Sequence, residues 1–230
     1  MPQPGLHAVL ALAARGKIST ERGFAVGLAL GSLIPDIDSY PQAVAVLAGG
    51  MDPAEAEAIF HRTLTHSVFF ALALLAGFTL AGYASRRRGL RWFGYGLTIG
   101  VLLFHIAPDV FLWFDGVGIF WPLGSVNLWS RVALPEVAVN LLRAANFWAF
   151  ALYFTYLASV ARKAGADADY LPRLRWYLYV QLALGVVFMA LGFALPFKTY
   201  NTLDGVAFLF WAYPNALWVT WRMRRAIEIG

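Results

Sequence analysis

Long apolar runs alternate with short basic connectors along this chain, and that alternation predicts its elements. A helix that crosses a bilayer needs about 20 mostly apolar residues. Five stretches meet or approach that length: roughly 68 to 84, 92 to 113, 144 to 161, 174 to 195 and 206 to 221. The first 67 residues are patterned differently. Two short apolar stretches, near 5 to 14 and 23 to 34, flank Arg15, Gly16, Lys17 and a cap-like Ser19-Thr20-Glu21 turn. The first is too short to cross at about 1.5 Å per residue. The pair therefore predicts a helical hairpin that dips into the membrane or packs against a bundle, with Gly27 and Gly31 permitting close helix approach. Residues 49 to 60 predict a turn and a surface helix, capped by Asp52 with Pro53 at the first helical position. The expected fold is all-α: a polytopic integral membrane helical bundle of about five spanning helices plus an N-terminal helical hairpin, forming one integral membrane domain over 1–230.

Composition supports this. The chain is 60% hydrophobic and 13% charged, whereas soluble domains carry about a quarter charged residues. A net charge of +5 raises the question of nucleic acid, but the positive residues sit between apolar runs and form no exposed basic face, so no nucleic-acid partner is expected. Arg86, Arg87, Arg88 and Arg91, then Arg162, Lys163, Arg173 and Arg175, then Arg222, Arg224 and Arg225 make up 11 of the 18 basic residues. In a five-span arrangement all three groups fall on one side, which the positive-inside rule makes cytoplasmic. The N-terminus lacks the basic start and small-residue cleavage site of a signal peptide, so the chain is read as mature. There is no cysteine, which excludes disulfides, thiolate metal sites and cysteine nucleophiles. Any metal must be held by imidazole and oxygen.

The apolar run 92 to 122 contains His105, Asp109 and Asp115. Ionisable residues in a membrane segment are costly and mark candidate functional sites. Four residues apart on a helix, His105 and Asp109 share a face and form a ready pair of divalent-metal ligands. Three more histidines, His7, His61 and His66, each stand beside a membrane-apposed stretch. In GSLIPDIDSYP, Pro35 and Pro41 favour a loop presenting Asp36 and Asp38 at the membrane surface, although Asp36 could also simply cap or solvate a helix end. His61 and His66 are about 140° apart on a continuous helix, so they converge only if a helix starts between them, at Thr65 or Ser67. Arg62 reads either as an interfacial anchor or as a guanidinium clamp for phosphate. Asp115-Gly116 reads as a turn, Trp121 as an interfacial aromatic, and Lys198 and Asp204 as outer-loop residues.

The order His7, G-S-L-I-P-D-I-D, H-R-T-L-T-H-S, H-I-A-P-D, then D-G and W-P-L resembles the family of inner-membrane metal-dependent hydrolases of the LexA-binding or LexA-regulated type, over about residues 1 to 125. That family is distantly similar to zinc-dependent phospholipase C and P1 nuclease. The resemblance implies that His7, Asp36, His61, His105 and Asp109 are metal ligands and that His66 is a ligand or an acid-base group. It also divides the chain into a metal-site half, 1–125, and supporting transmembrane helices, 126–230. This chain offers no N-terminal tryptophan ligand and no second His-x3-Asp pair, so one or two zinc or similar ions are expected.

The function expected is that of a multi-pass inner-membrane enzyme hydrolysing a phosphoester, most simply of a lipid, at the outer membrane face. The ion lowers the pKa of bound water toward about 7. Asp36 and His66 are the catalytic candidates beside it, with Arg62 or the metal stabilising phosphoryl charge. The expected partners are the membrane and a lipid or phosphorylated-lipid substrate. Two other enzyme classes lack their motifs. The Ser-Arg head of a histidine phosphatase is replaced by Thr98 and Ile99, and His-Glu-x-x-His is absent. The remaining alternative is a non-enzymatic transporter or a haem- or ion-binding helical bundle.

Overall fold

The computed structural model describes residues 3–112 and 116–230; Asp115 lies outside the described residues. Apart from one isolated bridge, Val117 with Val126, the regular structure among the described residues is helical. Three helical runs are long and apolar enough to cross a membrane: Arg88–Leu112, Glu136–Ala164 and Ala168–Ala194. Val68–Ala84, at 17 residues, sits at the short limit of about 17–25 residues for a spanning helix. Five spans were expected. The fifth stretch lies instead in a run of α10 (Phe197–Ala207), a π-helical segment Phe208–Ala212 and α11 (Tyr213–Arg222), which falls outside the three.

Contacts divide the chain into two compact units. The terminal unit comprises residues 3–20 and 134–230; the central unit comprises 21–133. The expected N-terminal hairpin is divided between them. Helix α1 (Pro4–Ile18) packs along α8 (Glu136–Ala164) in the terminal unit, and α2 (Phe24–Gly31) packs along α6 (Arg88–Ile99) in the central unit. Glycines explain both pairings. Gly5 lies so close to the backbone of Ala149 and Phe150 that a Cβ there would overlap it, and Gly27 and Gly31 meet the backbone of Phe93 and Leu97 in the same way.

In the terminal unit, α8 runs antiparallel to α9 (Leu171–Ala194): Trp148 lies over Gly185, and Phe147 stacks on Phe188 with centroids 4.9 Å apart. Lys198 and Asp204 belong to α10, not to a loop. Pro196 precedes that helix, and the buried Tyr200 and Asp204 are one turn apart on its inner face.

In the central unit, α2 and α6 run parallel, with Gly23 beside Gly89, Gly27 beside Phe93 and Gly31 beside Leu97. Helix α5 (Val68–Ala84) runs antiparallel to α6, since Gly82 meets Arg91 and Gly94 meets Phe78. The C-terminal ends of α2 and α6 therefore lie at the same end of the unit as the N-terminus of α5. Beyond α6 the helix widens into a π segment, Gly100–Ile106, before α7 (Ala107–Leu112). Both π segments stop one residue before an X-Pro step, Ala107-Pro108 and Tyr213-Pro214. A proline ring in a regular α-helix collides with the carbonyl four residues earlier, and a wider turn relieves that collision. Helix α3 (Ser39–Leu47) and the surface helix α4 (Pro53–Phe60) complete the unit; the Asp52 side chain accepts the Glu55 backbone N–H at 3.4 Å, as expected of a cap.

Candidate metal centre

Three chain segments meet at this end of the central unit. The first is a 3-10 turn, Ile34–Asp38, which follows α2 and carries Asp36 and Asp38. The second is the link from α4 to α5, where His61 follows the end of α4 and His66 closes a short 3-10 turn, Leu64–His66. Helix α5 itself begins at Val68, capped by the Ser67 hydroxyl accepting from the Phe70 N–H at 3.1 Å. His66 thus stands just ahead of the helix, which starts at Val68 and not at the expected Thr65 or Ser67. The third is the π segment with α7, which supplies His105 and Asp109.

His66, His105, Asp36 and Asp109 are all buried. His66 Nε2 and His105 Nε2 are 3.0 Å apart. Asp36 Oδ1 lies 3.8 Å from the first and 3.7 Å from the second, and Asp109 Oδ2 lies 3.6 and 3.7 Å from them. Zinc bonds of about 2.0–2.1 Å in a tetrahedron place neighbouring donors about 3.3 Å apart. The five distances bracket that value.

The outward hydrogen bonds of the two rings fix which atom faces inward. His105 Nδ1 donates to the Ser32 carbonyl at 2.8 Å. That carbonyl lies at the C-terminal end of α2, where helix carbonyls lack an intrahelical partner. His66 Nδ1 donates to Asp38 Oδ2 at 3.0 Å. With both Nδ1 atoms donating, neutral rings present two Nε2 lone pairs to each other and to carboxylate oxygens. Neither oxygen of Asp36 has a hydrogen-bond partner among the described residues. Acceptors turned toward one buried point repel one another unless a cation or a shared proton lies between them. Burial, reinforced by the charges of Asp109 and Asp38 and opposed by Arg62, pushes the Asp36 carboxyl well above its ordinary range. A bound cation reverses that tendency. His66, His105 and Asp36 therefore form a group that could hold a metal ion, and Asp109 Oδ2 lies within 3.7 Å of both imidazoles.

Asp38 has a different part, one the spacing alone left open. It accepts from His61 Nδ1 at 2.7 Å, the Thr65 hydroxyl at 2.7 Å, the Arg62 backbone N–H at 3.0 Å and His66 Nδ1. Burial raises its pKa, but the two histidines outweigh this and hold it well below the ordinary carboxylate range. Burial lowers the pKa of His61 against the pull of Asp38. A carboxylate behind a ligating imidazole fixes its tautomer and orientation, and Asp38 does this for His66. Thr65 was also not singled out from sequence; the D-I-D pair was the available signal, since residues two apart on a 3-10 turn point to different sides.

His61 comes to this cluster from the loop after α4, its ring 5.4 Å from that of His66, with Nδ1 engaged by Asp38. One donor atom each of Asp36, Asp38 and His61 also lie within 4.8 Å of one another. Arg62 is buried in the left-handed region at φ 56°, a conformation uncommon for a residue with a side chain. Its N–H on Asp38 and its carbonyl, which accepts from Gly118 N–H at 2.8 Å, hold that turn. His7, the remaining expected ligand, lies on α1 in the terminal unit and is buried there.

Membrane-length helices and a buried His/Asp centre where helix ends meet define an integral membrane protein with a polar site suited to a cation. The family model of the YdjM inner membrane protein matches residues 4–195, and the chain belongs to that family. It is an inner-membrane protein. The match continues 70 residues past the motif-bearing part, so helices that carry no polar motif also share the family's pattern. No curated protein and no solved structure matches the chain.

Proposed function

We propose that the protein is a metal-dependent hydrolase of a membrane phosphoester, most simply a lipid headgroup, working at the extracytoplasmic face. The observation that supports this best is the convergence of two imidazole nitrogens and two carboxylate oxygens at 3.0–3.8 Å in a buried site. A zinc or similar ion there would supply Lewis acidity and a water of pKa near about 7. His66 and His105 hold their Nε2 atoms inward through Asp38 and the Ser32 carbonyl. Asp36 offers Oδ1 to the donor set, and its Oδ2 is the acceptor for the proton of an attacking water. Arg62, close enough for its charge to act on Asp36, balances charge developing on phosphoryl oxygens. Within the central unit, the basic Arg86–Arg91 connector lies at the end opposite the centre, so the positive-inside rule directs the centre outward.

A bis-histidine haem is the weaker alternative. Iron between two axial nitrogens would hold them about 4 Å apart, twice a metal–nitrogen bond of about 2.0 Å, and 3.0 Å leaves no room for a macrocycle. The test is elemental analysis of purified wild type, His66→Ala and His105→Ala, followed by assay on phospholipids and polyprenyl phosphates. About one ion per chain and turnover in the wild type, with both lost in the folded variants, is the expected result. Undiminished metal-dependent turnover in both variants would overturn the reading.

A further inference from the structure

The connector from 116 to 133, between the span ending at Leu112 and the span beginning at Glu136, is built unlike a solvated loop. Its inward side is fixed. Val117 is buried in a cluster with Ala71, Val101 and Ile106, against which Ile119 packs. Val117 and Val126 exchange both backbone hydrogen bonds at 2.9 Å. Gly118 N–H donates to the Arg62 carbonyl at 2.8 Å, and Val68 N–H to the Ile119 carbonyl at 2.9 Å, tying the connector to the segment that carries His66. Trp129 Nε1–H donates to the Phe111 carbonyl at 3.0 Å, near the end of the span.

Its outward side is apolar. Phe120, Trp121, Leu123, Leu128, Trp129 and Val132 are exposed, Leu123 to 81% and Phe120 to 51%. Arg131 is the one formal charge from 116 to 133. Apolar side chains also project beside the centre itself: Ile37, between Asp36 and Asp38, and Leu64, two residues before His66, are exposed. Exposed apolar surface of this extent marks an interaction site. Both ends of the connector are at a membrane face because both neighbouring segments are spans. Indole rings with one polar handle and an apolar body favour the headgroup level.

We infer that the 116–133 connector lies in the leaflet at that face, with Phe120, Leu123 and Leu128 in the acyl region, and that the centre receives its ligand from the lipid phase at phosphate depth. The occupant of this apolar face is the bilayer itself. What the centre does with a lipid rests on the function proposed above; immersion of the connector does not, and it is measured without turnover.

The chain contains no cysteine, so Leu123→Cys and Leu128→Cys each give a unique spin-label site. In wild-type-background protein reconstituted into phosphatidylethanolamine and phosphatidylglycerol vesicles, relaxation by oxygen should exceed relaxation by a water-soluble nickel chelate at both positions. A label at exposed Gly50 should give the reverse order. Chelate access at 123 and 128 equal to that at 50 would overturn the inference. Spin–spin broadening between copies, relieved by diluting with unlabelled protein, would also overturn it by showing a second copy on this face. If oxygen dominates while no phosphoester is cleaved, immersion stands and the proposed chemistry falls; the converse result separates them the other way.

Discussion

The two units arrange their buried hydrogen-bonding groups differently. In the terminal unit donors meet acceptors: the Tyr200 hydroxyl donates to the Asn140 carbonyl at 2.8 Å, Asn140 Nδ2 donates to the Gly192 carbonyl at 3.3 Å, Arg143 bonds Asn201, and the Tyr153 and Thr220 hydroxyls are 2.5 Å apart. Such pairs tie helices together where water is scarce. In the central unit the inward-facing atoms are nearly all acceptors, and the donors stand behind them, on Asp38 and Ser32 carbonyl contacts. The terminal unit's pairs need no ligand between them, although Asn146 Oδ1, both Gln181 amide atoms and Asp204 Oδ2 in the same unit are buried without a hydrogen-bond partner among the described residues. A shell of like acceptors is completed by a cation or a shared proton. Polar burial in a membrane helix is thus a poor guide to function until the sense of each hydrogen bond is known.

The contrast can be broken most sharply at the imidazoles. Replacing His66 or His105 by alanine should remove bound metal almost entirely while helicity by circular dichroism is retained; a variant with full metal content would erase the distinction between the units. Asp38→Asn comes next. It keeps the volume but alters the acceptor that orients His66, and should weaken metal affinity by about 10–100-fold in a chelator competition titration. Gly31→Ala tests the scaffold: the added methyl has Leu97 backbone in its way, and overpacking of this kind costs about 1–3 kcal/mol. Because α2 leads directly to Asp36, this variant should lose metal affinity as well as thermal stability, measured together in detergent. Tyr153→Phe should do least. Loss of the hydroxyl pair with Thr220 costs about 0.6 kcal/mol on the scale of membrane helix hydrogen bonds, and metal content should not change.

Much of the scaffold was legible from apolar run lengths, because a run such as Leu171–Ala194 carries its own reason to be helical. The Asp52 cap and the His105/Asp109 pair were legible for the same reason: their geometry is local. The partition of the N-terminus was not. Small residues at Gly5, Gly27 and Gly31 announce close packing but not with what, and only the fold assigns α8 to the first and α6 to the others. The union of His61 and His66 was legible as a condition, a break between them, and that break is the left-handed turn at Arg62. The role of Asp38 depended on partners 23 to 28 residues away, a relation that no spacing rule contains.

The widened helix ahead of Pro108 bears on how such sites can be counted. His105 sits inside the π stretch and Asp109 just beyond it, so the angle between them belongs to a loosened coil as well as to their separation in residues. Moving the proline by one position while leaving the histidine in place would move the widened turn relative to the imidazole. In this membrane helix, then, a pyrrolidine ring marks where the coil loosens, and the Ser32 carbonyl holds the imidazole within that loosened stretch.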